Sequence, residues 1–179
     1  MRASVNPITA ADLLDVEHAA VRELIDELTD EEMTRPDTIE YGLYPDQECS
    51  FKDLLAHLVC YEVFALEALA EWRRDKKHWI IEALDTRGRE IHFAGIEDRR
   101  HSTLQEQLAE WEHVQRTLTT TIRGLSEQEW CGLAPYEDGE NTDLGGMLER
   151  IIVAPPRPMY RHLPVHIPDS AAYIRSLRE

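Results

Sequence analysis

His57, His162 and His166 are the residues from which chemistry can be built in this chain. His162 and His166 stand four apart within the stretch Pro158 to His166. If that stretch is helical, with Pro158 in its first turn, both imidazoles fall on one face a turn apart. Pro164 lies between them and would kink such a helix. His57 stands elsewhere, in a long apolar run beside Leu54 and Tyr61, where another apolar residue would have packed better. Three imidazoles so placed can occupy one face of a divalent ion such as Zn, Ni, Cu or Fe and leave a position open for water or substrate. At zinc that water would titrate near ~7, giving a hydroxide nucleophile at neutral pH. The competing account is packing. A pair of histidines four apart arises readily by chance among eight of them, and a single histidine on an apolar face is commonly a hydrogen-bonded core residue.

Other side chains could support such a site. His18 falls on the inward stripe of the first helix, a candidate pocket donor or general base, with a buried structural histidine as the alternative. Tyr61, one turn after His57, is a candidate donor to a substrate oxygen or simply a core ring. Asp53, one turn before His57, could orient an imidazole, but it also stands where a helix cap is needed. Tyr160 and Arg161 would suit an anionic substrate group or the surface. His78, His92, His101 and His113 read as loop or exposed positions.

The elements that must position these residues are helices. Ser50 followed by Asp53 is a capping-box start, and neither Gly nor Pro interrupts the chain from there to Trp72. Leu54, Leu58, Tyr61, Ala65, Leu69 and Trp72 recur at steps of three and four, with Phe51, Leu55, Val59 and Leu66 widening the apolar surface. A helix this apolar has neighbours on more than one side. Before it, Thr9 and Asp12 suggest a helix start, and Leu14, His18, Val21, Ile25 and Leu28 form its inner stripe. After it, Arg73 to His101 reads as a long connection with one short helical piece around Trp79 to Leu84, broken up by Gly88 and Gly95. A third helix is expected from Ser102 to about Arg123, on a stripe of Leu104, Leu108, Trp111, Leu118 and Ile122. The words Leu28 to Met33 and Leu125 to Trp130 echo one another: helix end, Ser or Thr cap, Glu at N3, large apolar residue. Thr142 to Val153 is expected as a short helix weakened by Gly145 and Gly146, and Pro155, Pro156 and Pro158 stop it. Pro168, Asp169 and Ser170 restart a terminal helix to about Leu177. The whole reads as an all-α four-helix bundle with a long crossover between its second and third helices, one domain over residues 1–179.

The chain has 179 residues, 42% of them hydrophobic and 30% charged, the composition of an ordinary globular protein. Its formal net charge of −16 argues against nucleic acid and anionic membrane surfaces as partners. No apolar run approaches the ~20 residues of a membrane span, and the first residues have no apolar core for a signal peptide. Three cysteines without metal-ligand spacing fit a reducing compartment, so a cytoplasmic location is expected. Cys60 reads as core, and Cys49 and Cys131 as loop cysteines with more reactive thiols. A homodimer would require an exposed apolar helix face, which the sequence does not single out.

The segment SFKDLLAHL, with its apolar continuation, resembles the second-helix signature of the DinB/YfiT-like superfamily, in which a Ser or Thr precedes a Lys/Arg-Asp pair and the helix carries a His. The echoed capping words, Leu108-Ala109-Glu110-Trp111 and the stretch YRHLPVH are similar to its ClbS/DfsB-like branch. The resemblance runs from about Leu13 to Ile174. Glu48 and Cys49 stand where the family usually has a Trp before the Ser. The resemblance implies a four-helix bundle with a long crossover, and a divalent metal ion, Zn or Ni foremost, held by His57, His162 and His166. It further implies hydrolysis or thiol transfer on a small electrophilic substrate, in detoxification or self-protection, with a low-molecular-weight thiol as co-substrate in the second case. A metal-free bundle without catalysis, either binding a small molecule or serving as a stress-related protein, is the alternative.

Overall fold

The computed structural model describes residues 1–36, 49–137 and 139–153. The expected Pro158 to His166 helix, the terminal helix and most of the Pro36 to Cys49 connection lie outside the described residues. Those residues form an all-α fold of eight helices: α1 (Pro7–Asp26), α2 (Asp30–Thr34), α3 (Phe51–Trp72), α4 (Ile80–Thr86), α5 (Gly88–Asp98), α6 (Leu104–Arg123), α7 (Glu127–Trp130) and α8 (Leu144–Val153). A bridge of extended backbone pairs Leu133 with Asp143. None of these helices is long and apolar enough to cross a membrane.

Local chemistry sets most of the boundaries. The Ser50 side chain accepts from the Asp53 N–H while Asp53 Oδ2 accepts from the Ser50 N–H at 2.8 Å, so α3 begins where its sequence demands. Thr29 with Glu32, Thr103 with Glu106 and Ser126 with Glu129 close the same reciprocal box at the starts of α2, α6 and α7. Both echoed words therefore fold as capped turns that tuck a large apolar residue, Met33 or Trp130, into the interior. The start of α1 differs from expectation. Asn6 is its cap, its Oδ1 accepting from the Thr9 N–H at 2.8 Å, and Pro7 occupies the first turn, where its fixed φ and missing N–H cost nothing.

α3 is the central element, packed against α6, α8 and α5, while α1 packs on α6. One core region gathers Leu14, Leu69, Trp72, Ile80, Leu118, Trp130 and Leu148; the other gathers Val21, Leu54, Leu55, Leu58, Trp111 and Val114. Ion pairs between Arg123 and both Asp12 and Asp15, and between Arg22 and Glu112, show α1 and α6 running antiparallel. The long crossover after α3 holds two helices where one short piece was expected.

Gly95, Gly145 and Gly146 are points of close approach, whereas a Cβ at Gly88 would meet nothing within 4 Å. Gly95 lies inside α5, and a Cβ there would stand 2.5 Å from Cys60 Sγ and 2.6 Å from Cys60 Cβ. Gly145, in the first turn of α8, meets the Trp130 ring the same way at 2.3 Å. In α5 the contact outweighs the entropic penalty of a helical glycine. Gly95→Ala is therefore expected to lower stability by about 1–3 kcal/mol, as overpacked cores do, although alanine is the better helix former. Urea denaturation measures it, and a variant more stable than the parent would show that α5 has room to spare.

Candidate functional site

Among the described residues, two of the buried polar groupings lie on different flanks of α3. The first is built on His57. Helical spacing places Tyr61 one turn along α3, and its ring stands edge-on to the His57 ring, with centroids 5.0 Å apart and planes at 72°. From the facing α5, His92 lays its ring against the same imidazole at 4.1 Å, tilted by 44°. All three residues are buried. Burial, with a smaller push from Arg89, takes His92 down to about 4, so its ring is neutral at physiological pH.

The second centre joins α1 to α3. His18 Nε2–H donates to Glu62 Oε1 at 2.6 Å, and both side chains are more than nine-tenths buried. Burial by itself would lower the His18 pKa, but the Glu62 carboxylate, helped by Glu17 and Asp15, outweighs it and raises the value above 6.5. The Trp111 ring stands edge-on to His18 at 6.4 Å, and the Arg22 guanidinium covers Trp111 at 4.7 Å from its centroid. Glu62 Oε2 has no hydrogen-bond partner among the described residues. Five residues separate His57 from Glu62, an angular offset of about 140° around a helix.

The structure thus brings together two of the residues singled out in the sequence, His57 and Tyr61, and pairs a third, His18, with Glu62. His162, His166, Tyr160 and Arg161 lie outside the described residues. Asp53 is engaged in the α3 capping box, accepting from both the N–H and the hydroxyl of Ser50.

Several readings are corrected. His92 is not a loop residue but a buried one on α5, and the reason is the Gly95 contact that seats α5 on α3. His78 does lie in a loop, yet it is buried, with Nε2 3.5 Å from a Glu67 carboxylate oxygen and its pKa lowered chiefly by burial. Cys49 is buried rather than reactive, burial pushing its thiol up to about 11. Cys60 is core as expected, its thiol raised to about 12 by burial. Cys131 alone of the three is exposed. Glu62 was missed altogether, although a carboxylate between Tyr61 and Val63, inside the otherwise uncharged run from Leu54 to Leu66, was a visible anomaly.

Among the described residues no group of three His, Cys, Asp or Glu side chains is arranged to hold a metal ion. His57 is the one residue of the expected ligand set that they include. The ring packed against it, His92, is neutral and adds no positive charge of its own, although the Arg89 cation acts on the same flank.

Comparison with known proteins agrees with this architecture. A crystal structure of an uncharacterised protein from Escherichia coli UTI89 superposes with a TM-score of 0.67, covering 97% of this chain and 93% of that one at 12% identity, a likeness of fold. No curated protein matches the chain. The model of the DinB superfamily matches residues 13–153, which takes in most of α1, all of α2 through α8 and both polar centres. The chain belongs to the DinB superfamily.

Proposed function

We propose that the chain is a divalent-metal-dependent enzyme that acts on a small electrophilic molecule, by hydrolysis or by thiol transfer, in cytoplasmic detoxification or self-protection. The observation that carries this reading is the buried His57 imidazole, held between Tyr61 and a neutral His92 in an otherwise apolar helix interface. A buried imidazole is costly unless its nitrogens are used, and packing alone would have been served by leucine. His57, with His162 and His166, would hold the ion, for which Zn or Ni suits imidazole donors. When bound, such an ion supplies Lewis acidity and a nucleophile at neutral pH, either from water or from the thiolate of a low-molecular-weight thiol.

The chain's own groups have separable duties. Tyr61, edge-on to His57, has its hydroxyl on the same flank of α3 and is the candidate donor to a substrate oxygen. His92 excludes water from the His57 ring. His18, hydrogen-bonded to Glu62 and with its pKa raised by that carboxylate, is the candidate proton carrier on the other flank.

Elemental analysis of protein purified without affinity tag or chelator tests the reading. About one Zn, Ni or Fe per chain is expected, on the stoichiometry of a three-histidine site, and both His57→Ala and His162→Ala should abolish it. Protein that stays metal-free after incubation with Zn and Ni would sink the proposal. The close ring contact of His57 with His92 would then favour a bundle that binds a small molecule without catalysis.

A further inference from the structure

Two contacts between α3 and α5 repeat one spacing. His57 meets His92 ring to ring at 4.1 Å. Three residues on along both helices, Cys60 meets Gly95, so closely that a Cβ on Gly95 would stand 2.5 Å from Cys60 Sγ. The two helices therefore run side by side in register, and residue 95 has no side chain to hold them apart. The shared spacing of three keeps both contacts on the same face of each helix. With α5 seated this low, the His92 ring covers the His57 ring from one side while Tyr61 stands edge-on at 5.0 Å.

We propose that α5 is a clamp on the His57 imidazole, with His92 as its positioning residue. The proposal rests on His57 being a metal ligand and adds what fixes it. A histidine ring turns about two side-chain bonds, and a ligand free to turn must be ordered before it can bind. A ring lying against it at a 44° tilt and a second ring edge-on from its own helix remove that freedom in advance. Ligand precision of this kind comes from supporting packing as well as from hydrogen bonds. His92 acts through its shape, so another flat ring should replace it.

The test is calorimetric titration of the full metal-free chain with Zn(II), using the parent, His92→Ala and His92→Phe, with circular dichroism to show that each is folded. Loss of a supporting residue costs metal sites on the order of 10- to 100-fold in affinity. His92→Ala is expected to weaken zinc binding by about that factor at unchanged stoichiometry, and His92→Phe to recover most of it. Equal affinity in His92→Ala overturns the clamp. So does a His92→Phe variant as weak as His92→Ala, which would make a nitrogen of His92 the working group. If the parent binds no zinc, the metal reading itself fails, and the clamp is decided in the metal-free chain by carbon-13 relaxation of the His57 ring. Ring order lost in His92→Ala and restored in His92→Phe supports it; ring order unchanged in both overturns it.

Discussion

Glu62→Leu is expected to destabilise the chain by about 3–5 kcal/mol at pH 6, the range for breaking a buried charge pair by removing one partner. His18 and Glu62 are joined by a 2.6 Å hydrogen bond with both side chains buried, and the His18 ring is charged at that pH because the carboxylate raises its pKa. Without Glu62, burial acts on His18 opposed only by the smaller effects of Glu17 and Asp15. The ring must either stay charged in apolar surroundings or shed its proton and leave a buried polar atom unpaired. The companion variant, with leucine at both 18 and 62, should recover much of the loss, since two apolar groups replace a pair whose desolvation nearly offset its attraction. The effect has a pH signature. A raised folded-state value means that the pair's contribution is fully present below 6.5, the unfolded value, and is lost as pH rises through the folded value. Urea denaturation of both variants at pH 6 and pH 9 measures all of this. A single variant that costs under about 1 kcal/mol, or a double variant no better than the single, would show that the two residues are not an energetic unit.

Which features were legible in the sequence follows from how far apart their causes lie. The capping boxes at Ser50, Thr29 and Ser126 are local, each made by residues three apart, and they fold as read. The apolar stripe of α3 was equally plain, because a helix buried on several sides needs no knowledge of its neighbours to be recognised. His92 was not legible. Its burial depends on α5 docking on α3, and that docking depends on the Gly95–Cys60 contact, between residues 35 positions apart. A glycine within a helical pattern looks like a breaker, and nothing local says that it is a seat for another helix. The His18–Glu62 bond spans 44 positions and failed to stand out for a related reason. His18 was recognised as inward-facing, but its partner was hidden among apolar residues that drew attention to packing. The sequence motifs therefore pointed to His57 and to Tyr61 one turn along the same helix, while His92 had to come from tertiary structure.

The His57 centre should reveal itself in how stability depends on acid. Burial, then Arg89, holds the folded-state pKa of His92 at about 4 against 6.5 when unfolded. Between those values the unfolded chain binds a proton that the folded chain refuses, so stability rises with pH across this window. The contribution is present above pH 6.5 and is lost as pH falls toward 4. At ~1.4 kcal/mol per pH decade, that interval is worth on the order of 3 kcal/mol. His78, also lowered by burial, adds to the slope in the same direction. His18 acts oppositely and higher, its contribution falling away above 6.5. Stability is therefore expected to peak near pH 6.5 and to decline on both sides, for different histidines. His92→Phe should flatten the acid limb and leave the alkaline limb, while the double leucine variant at 18 and 62 should do the reverse. Urea midpoints at half-unit pH steps read both limbs. If His92→Phe leaves the acid limb as steep as in the parent, the proton is being refused elsewhere, and the centre around His57 is more open to water than its packing implies.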